Sequence, residues 1–266
     1  MNNSPKTEAK ELFNKVPEVI LFFWVIKILA TTVGETSADF LNFNLNFGLT
    51  ATSIVMTGLL SVALIAQLKA KRYVPWLYWL TVVLISVVGT LITDNLTDNF
   101  GVPLGITTIG FSLALMTTFA VWYAKERTLS IHTIYTYRRE LYYWAAILFT
   151  FALGTAAGDL VAERLNLGYA NSALMFGGLI AAVTFGYYMF KANAVLAFWV
   201  AYILTRPLGA SCGDYLSQPV TNGGLGLGTV QTSMLFLAAI SSLVLYLTVS
   251  RKDSTRQRIA LNTTTE

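Results

Sequence analysis

The chain has 266 residues, of which 55% are hydrophobic and 12% are charged, and its formal net charge is +4. In soluble domains about a quarter of the residues are charged, so this composition excludes an ordinary soluble protein and indicates a polytopic membrane protein. The sequence contains no Walker motif, no zinc-protease motif and no Ser/His/Asp set. ATP-driven pumping by this chain alone and zinc catalysis are therefore disfavoured, and we expect neither an enzyme nor a bound cofactor.

Residues 1–15 are predicted to form a cytoplasmic amphipathic segment, in which Ser4 caps a short surface helix and Pro5 takes its first position. This end of the chain is not interpreted as a cleaved signal peptide. Glu18 and Lys27 interrupt the apolar region, and no small-residue cleavage site follows it. The first predicted span therefore stays in the mature protein.

A tryptophan, a glycine ten residues later and an aspartate five residues after the glycine recur four times. The four sets are Trp24/Gly34/Asp39, Trp79/Gly89/Asp94, Trp144/Gly154/Asp159 and Trp199/Gly209/Asp214. Each set lies in an apolar stretch that is long enough to cross a bilayer. A second apolar run of about 20 residues follows each aspartate, at Gly48 to Leu68, Leu104 to Ala124, Ser172 to Phe190 and Thr229 to Ser250.

This pattern predicts an all-α polytopic membrane protein with eight transmembrane helices, arranged as four parallel two-helix repeats with pseudo-symmetry about the membrane normal. The aspartates are 55, 65 and 55 residues apart, so a pair of repeats recurs as a half. We expect a first membrane half at 16–124, a cytoplasmic connecting loop at 125–140, a second membrane half at 141–250 and a disordered cytoplasmic tail at 251–266. A ring of four hairpins and a pair of pairs both fit this spacing.

The basic residues are distributed unevenly between the two sides of the predicted spans. Fifteen of the eighteen lie on one side, and Arg164 is the only base in the four opposite connections. The positive-inside rule then places both termini in the cytoplasm of a multi-pass inner-membrane protein. Because topology accounts for the positive charge, the expected partner is the lipid bilayer and not a nucleic acid.

Four tandem two-helix units, each with a tryptophan in its first helix, resemble an uncharacterised tandem-repeat family of bacterial inner-membrane proteins. The resemblance covers roughly residues 16–250 and is specific for architecture. It implies an eight-helix bacterial membrane protein. It brings no activity with it, so the function has to be argued from the residues.

Ionisable residues inside membrane spans are rare, and they usually face a bundle interior or a water-filled path. In this chain they lie in the first helix of each repeat. Lys27 stands about half-way through the first predicted span, and Arg206 about half-way through the seventh. If four hairpins surround an axis, the four repeated aspartates form one level near its outer end. Glu35 is four residues before Asp39 and would lie about 6 Å deeper on the same helix face.

This carboxylate level would suit a small cation, and the same aspartates are the candidate ligands for a metal of unknown identity. Asp98 and Glu163, one helical turn beyond Asp94 and Asp159, are predicted to support it. Alternatively, the aspartates mark the water interface or cap helix ends. Lys27 and Arg206 either neutralise acidic partners or act as built-in cations that a substrate displaces.

Two smaller features of the first helices also have alternative explanations. The repeated glycines let helices approach closely, or they unwind the helix at Gly158-Asp159 and Gly213-Asp214. The hydroxyl residues, Thr90 and Thr155 among them, are expected to bond to the backbone or to neighbouring helices. The four tryptophans are assigned to helix packing.

The leading hypothesis from the sequence is a transporter or channel for a small cation, either a divalent metal or a proton-coupled ion. A non-transporting scaffold or sensor is the alternative, in which the repeated pattern serves only hairpin packing. An intramembrane enzyme that acts on a lipid-linked substrate ranks third, because no nucleophile accompanies the paired carboxylates. The oligomeric state stays open.

Overall fold

The computed structural model describes residues 14–41 and 48–254, and this part of the chain contains eight long α-helices. They are α1 (Leu21–Asp39), α2 (Gly48–Lys69), α3 (Pro75–Asp94), α4 (Leu104–Glu126), α5 (Tyr137–Asp159), α6 (Tyr169–Phe190), α7 (Ala194–Ser217) and α8 (Thr229–Ser250). Short π-helical segments at Asn95–Asn99 and Leu160–Arg164 follow α3 and α5, and 3-10 turns lie at Ile131–Thr133 and Val220–Asn222. The described residues contain no strand, which confirms the all-α prediction.

The helices begin where the sequence favours a helix start. Pro75 takes the first turn of α3, where its missing N–H costs no hydrogen bond. The side chain of Asn193 caps α7 by accepting hydrogen bonds from the backbone N–H groups of Val195 and Leu196, at 3.0 and 3.1 Å. All eight helices are long and apolar enough to cross a membrane, so the prediction of eight spans in four repeats is confirmed.

The four first helices, α1, α3, α5 and α7, form a closed ring. In this ring α1 packs against α3, α3 against α5, α5 against α7, and α7 against α1. The second helices lie outside it, and each packs on the first helix of the following repeat: α2 on α3, α4 on α5, α6 on α7, and α8 back on α1. Of the two arrangements that the spacing allows, the structure has the ring. Pseudo-symmetry about the membrane normal stays a prediction.

Burial separates the two sets of helices. In the apolar stretch of each first helix, 61%, 72%, 56% and 50% of the residues are buried in chain order. The corresponding values for the second helices are 17%, 11%, 6% and 28%. The surface left for lipid is therefore supplied mainly by the second helices, and the interior of the ring is built by the first.

The repeated glycines lie at the contacts between neighbouring first helices. A Cβ atom at any of them would overlap the side chain eight residues before the aspartate of the next repeat. The contacts are Gly34 with Ser86, Gly89 with Phe151, Gly154 with Arg206, and Gly209 with Thr31. Small residues allow membrane helices to approach closely, and here they do so at the same register in every repeat.

The two predicted halves share one ring and are not separate units, since α3 packs on α5 and α7 on α1. The predicted connecting loop at 125–140 is shorter in the structure, because α4 continues to Glu126 and α5 already starts at Tyr137. The predicted surface helix at residues 1–15 lies outside the described residues except for residues 14 and 15. Lys15 there forms an ion pair with buried Glu140, with 2.6 Å between Nζ and Oε2.

The chain end that follows α8 is packed at its start. Asp253 is 1% exposed and accepts a hydrogen bond from the hydroxyl of Tyr73, with 2.5 Å between the oxygens. Its backbone carbonyl accepts a hydrogen bond from the N–H of Glu18 at 3.0 Å. The disordered tail predicted for 251–266 therefore does not begin at residue 251, because a buried carboxyl and two hydrogen bonds hold this part. Residues 255–266 lie outside the described residues.

Candidate functional site

Aromatic contacts fix the relative register of the four first helices. Each of these helices contains the same pair, an aromatic residue followed by the repeated tryptophan. These pairs form an aromatic layer: Phe23/Trp24, Tyr78/Trp79, Tyr143/Trp144 and Phe198/Trp199. Ring centroids of neighbouring helices are 5.6 Å apart for Phe23 and Trp79, 5.5 Å for Tyr78 and Trp144, 6.2 Å for Tyr143 and Trp199, and 5.7 Å for Trp24 and Phe198. The four helices therefore run in the same direction, and their aspartates lie together at the opposite end.

Arg206 is fully buried in the ring and binds groups from all three other first helices. Its Nη2 lies 2.8 Å from Glu35 Oε2 on α1 and donates to the hydroxyls of Thr155 on α5, at 2.7 Å, and Thr90 on α3. Its Nη1 donates to the carbonyl of Thr31 at 3.2 Å. We call Arg206, Glu35, Thr90 and Thr155 the Arg206 junction. A buried charge needs this degree of pairing, because an isolated one is very costly in low dielectric.

Three carboxylates converge next to this junction. One oxygen from each of Glu35, Asp159 and Asp214 lies within 4.8 Å of the others, and we call these three residues the acidic cluster. Glu35 and Asp214 are buried, and Asp159 is half-buried. If all three are ionised, their charge of −3 and the +1 of Arg206 leave −2, which a single divalent cation would neutralise.

The other two repeated aspartates are near the acidic cluster but outside it. Asp39 and Asp94 are half-buried and interact electrostatically with Glu35. Asp39 Oδ2 also accepts a long hydrogen bond of 3.5 Å from Gln218 Nε2. The predicted level of four equal aspartates is therefore uneven in the structure, because two of the four converge with Glu35 and two lie around them.

The supporting carboxylates lie outside the acidic cluster, although Glu163 interacts electrostatically with Asp159 and Asp214. Asp98 and Glu163 are exposed in the π-helical segments, where Asp98 accepts from Thr97 at 3.1 Å and Glu163 from the Tyr169 hydroxyl at 3.3 Å. A π-helix has a wider turn than an α-helix, so the residues beyond Asp94 and Asp159 are rotated relative to an α-helical continuation. The equal one-turn spacing in the sequence therefore does not give an equal position.

Lys27 does not neutralise an acid, which corrects one of the two alternatives from the sequence. Its Nζ has no hydrogen-bond partner among the described residues and lies 4.1 Å from the ring centroid of Phe151 and 4.2 Å from that of Tyr202. Lys27 precedes Glu35 by eight residues, a rise of about 12 Å along the helix, which is too far for contact. Arg206 alone has the neutralising role predicted for both.

The threonines of the junction share a position in the repeat that is visible in the sequence but was not predicted to belong to the site. Thr90 and Thr155 precede Asp94 and Asp159 by four residues, as Glu35 precedes Asp39. All three therefore occupy one register position of the repeat, facing the ring interior. The sequence assigned these threonines to backbone or neighbouring-helix bonds, and the structure adds the guanidinium of Arg206 as their partner.

Two other expectations concern the helix ends. α5 is helical through Gly158 and α7 through Gly213, so neither helix unwinds at these glycines. α7 also continues through Pro207, which packs against Gly158. Cys212 is half-buried and does not belong to the acidic cluster found among the described residues.

From the Arg206 junction toward the aromatic layer, the ring is filled by side chains. Phe151, Lys27 and Tyr202 are all fully or nearly fully buried there. The hydroxyls of Tyr78 and Tyr143 follow, 2.5 Å apart and hydrogen-bonded, and Val16 and Ile134 are buried in the same core beyond them. The acidic cluster is thus separated from the opposite end of the ring by several packed layers.

Comparison with known proteins identifies the repeat. No curated protein and no solved structure matches this chain. The model of one protein family matches four times, at residues 22–73, 77–128, 142–193 and 197–253, and each match covers one first helix and the second helix that follows it. The matches together span most of the chain, so the protein belongs to the family described as Repeat of Unknown Function (DUF347).

Proposed function

We propose that this protein is a transporter of a small cation and that the acidic cluster is its binding site. The observation that carries the proposal is the approach of Glu35, Asp159 and Asp214 to within 4.8 Å at one end of a closed helix ring. Carboxylate oxygens are the preferred ligands of hard divalent ions such as Mg²⁺, Ca²⁺ and Mn²⁺. Asp39 and Asp94 add negative charge around the cluster, which raises the local concentration of cations.

We place the protein in a bacterial inner membrane with both termini in the cytoplasm, on the strength of the positive-inside rule. The aspartates follow the tryptophans by fifteen residues and lie at the end of each first helix. In this orientation the acidic cluster is near the outer surface, and the aromatic layer is near the cytoplasmic surface.

A carrier is favoured over an open channel. Arg206 is 0% exposed and Lys27 is 1% exposed on the axis, so no continuous water path passes between the described first helices at this level. An ion bound at the acidic cluster would compete with Arg206 for Glu35, since both take the same carboxylate. Transport therefore requires a change in the Arg206 junction, which is the kind of step that couples binding to helix movement.

A non-transporting scaffold or sensor is the second candidate, and the filled ring is the observation that favours it. Buried hydroxyls and close glycine contacts join the first helices along much of their length. In this case the acidic cluster would only mark the water interface. Asn would then replace each aspartate with little effect.

The deciding experiment measures equilibrium binding of Mn²⁺, Mg²⁺, Ca²⁺ and Na⁺ to the purified full chain in detergent, followed by uptake into proteoliposomes. Asp159→Asn and Asp214→Asn should each weaken binding at least about tenfold, or ~1.4 kcal/mol, because the amide keeps the size of the side chain and removes its charge.

The matched controls are Asp98→Asn and Glu163→Gln, which remove exposed carboxylates one turn further on. These variants should weaken binding much less than Asp159→Asn and Asp214→Asn, because their exposed carboxylates act on the cluster only from a distance. If all four variants retain full binding, or if no cation in the panel binds the wild type, the transporter proposal is wrong and the scaffold remains.

A further inference from the structure

Lys27 is the buried charged group that the proposed function does not use. The side chain is 1% exposed, and its Nζ lies between the faces of Phe151 on α5 and Tyr202 on α7. It has no hydrogen-bond partner among the described residues. The faces of aromatic rings attract a cation, but they do not replace the hydrogen bonds that water gives an ammonium group.

The charge nearest to Lys27 on the axis is another cation. The guanidinium carbon of Arg206 lies 5.7 Å from the centroid of the same Phe151 ring, so both basic groups lie over one ring. Arg206 has Glu35 as its counter-charge at 2.8 Å. Lys27 has none, because the carboxylate of Glu35 is two helical turns away on its own helix.

The helices packed around Lys27 supply no other acid at its level. Tyr202 and Arg206 on α7 interact with it directly, and the buried Tyr143 on α5 and Tyr78 on α3 belong to the same core. Tyr246 is the only titratable residue of α8, and it packs against Phe22. Among the described residues, the charge on Lys27 is therefore controlled by Arg206 and by whatever holds the charge of Arg206.

We infer that Lys27 carries a proton that leaves when a cation binds the acidic cluster, so that the transporter exchanges the cation for a proton. The inference rests on the proposed function and specifies its coupling. A cation that takes Glu35 removes the counter-charge of Arg206, which then repels the ammonium that contacts the same Phe151 ring. Arginine does not give up its proton in proteins, so the amine does.

In this step one N–H bond of the Lys27 ammonium breaks, the electron pair stays on Nζ, and the proton passes to bulk water as the ring opens. The bound ion adds positive charge to the axis and the departing proton removes one unit of it. When the ion leaves, Glu35 pairs with Arg206 again and Lys27 regains its proton. The Arg206 junction thus links two sites that do not touch.

The first test counts protons released to a pH-sensitive dye when Mn²⁺ is added to the weakly buffered protein, with bound ion counted from the loss of the free Mn²⁺ signal. The wild type should release about one proton per ion more than Lys27→Met, because the variant has no amine to titrate. Lys125→Met removes an exposed lysine on α4 and is the matched control, which should release as many protons as the wild type.

Lys27→Arg separates charge from packing. Like Lys27→Met, it should release about one proton per bound ion fewer than the wild type. Unlike Lys27→Met, it should bind Mn²⁺ more weakly than the wild type, because its charge is permanent. Lys27→Met should bind Mn²⁺ as tightly as the wild type or more tightly, since the repelling charge is gone. A steric defect would instead weaken binding in both variants. Equal proton release in the wild type and in both Lys27 variants overturns the inference.

The second test needs no cation and therefore decides about Lys27 even if the proposed function fails. Glu35→Gln removes the counter-charge of Arg206 permanently, so Lys27 should lose its proton without any added ion. The ¹⁵N chemical shift of Lys27, assigned by its disappearance in Lys27→Met, reports the neutral amine directly. The shift should change in Glu35→Gln and stay unchanged in the control Glu163→Gln. A signal that is the same in wild type and Glu35→Gln, whether that of an ammonium or of a neutral amine, overturns the inference.

Discussion

Gly209 on α7 lies directly against Thr31 on α1, and this contact joins the last repeat to the first. Hydrogen bonds follow the same line. The Thr31 hydroxyl donates to the carbonyls of Ile28, at 2.6 Å, and Thr205, at 3.3 Å, and the Thr32 hydroxyl donates to the carbonyl of Gly209 at 3.1 Å. Because the hydroxyls bond to backbone carbonyls, the two helices can approach without leaving polar groups unpaired.

Gly209→Ala should therefore destabilise the protein. The added methyl group would overlap the Thr31 side chain, and overpacking of this kind costs about 1–3 kcal/mol. Thermal unfolding in detergent should show a lower midpoint. Gly58→Ala on α2, where a Cβ meets nothing within 4 Å, is the control and should leave the midpoint unchanged or raise it. Equal midpoints for the two variants would mean that the ring does not close through Gly209.

Arg206→Met should be much more damaging than removal of the whole ion pair. Loss of Arg206 alone leaves Glu35 buried without its counter-charge, which typically costs about 3–5 kcal/mol. The double variant Arg206→Met/Glu35→Gln should be more stable than Arg206→Met. Thr90 and Thr155 keep their own backbone bonds to Ser86 and Phe151, at 3.2 Å each, so the double variant leaves no hydroxyl unpaired.

The free energies of unfolding of the wild type, both single variants and the double variant give the coupling energy of the pair. A double variant that is no more stable than Arg206→Met would show that Glu35 does not depend on Arg206 for its stability in the ring.

The architecture was readable in the sequence because one polar pattern repeats within apolar stretches. Trp24, Gly34 and Asp39 have counterparts in every repeat, and the spacing gave the spans, their number and their pairing into hairpins. The closure of the ring was not readable. It depends on which side chain contacts each glycine. The contact between Gly154 and Arg206, for example, cannot be predicted from the sequence around either residue.

The site was predicted in its composition but not in its grouping. All five acids of the level were named, but the sequence treats Asp39 and Asp214 alike, whereas only Asp214 converges with Glu35 and Asp159. Asp94 and Asp159 both precede a π-helical segment, and only Asp159 joins the cluster, so the π-helices do not explain the difference. Side-chain rotamers can change the position of a carboxylate, and helical periodicity does not specify them. Lys27 was assigned a possible acidic partner because sequence spacing does not show that aromatic rings surround it.

The predicted orientation is tested by cysteine labelling in a Cys212→Ser background, which removes the single native thiol. Asn44→Cys and Asn222→Cys, in two of the connections without lysine, should react with a membrane-impermeant reagent in intact cells. Thr128→Cys, in the connection between α4 and α5, should react only after the membrane is permeabilised. Labelling with the opposite pattern would reverse the orientation and place the acidic cluster on the cytoplasmic side.

A pH dependence is expected at the packed chain end, outside the membrane spans. Burial raises the pKa of Asp253 above its ordinary value, and the charge of Glu18 adds to this, while the hydrogen bond from Tyr73 acts in the opposite direction. A carboxyl whose pKa is higher in the folded state binds its proton more tightly there than in the unfolded chain. The stabilisation that the Asp253 carboxyl contributes is therefore complete below the pKa of about 3.9 that it has in the unfolded chain. It is lost as the pH rises through the higher pKa of the folded state.

Asp253→Asn should remove this dependence, because the amide resembles the neutral carboxyl and its oxygen still accepts from Tyr73. The wild-type midpoint should therefore fall relative to the Asp253→Asn midpoint as the pH is raised from about 4 to neutral, and the difference should then become constant once the carboxyl is ionised in both states. Unfolding midpoints of the two proteins over this range measure it. A difference that is the same at every pH would show that Asp253 has its ordinary pKa and that the chain end is not held by a neutral carboxyl.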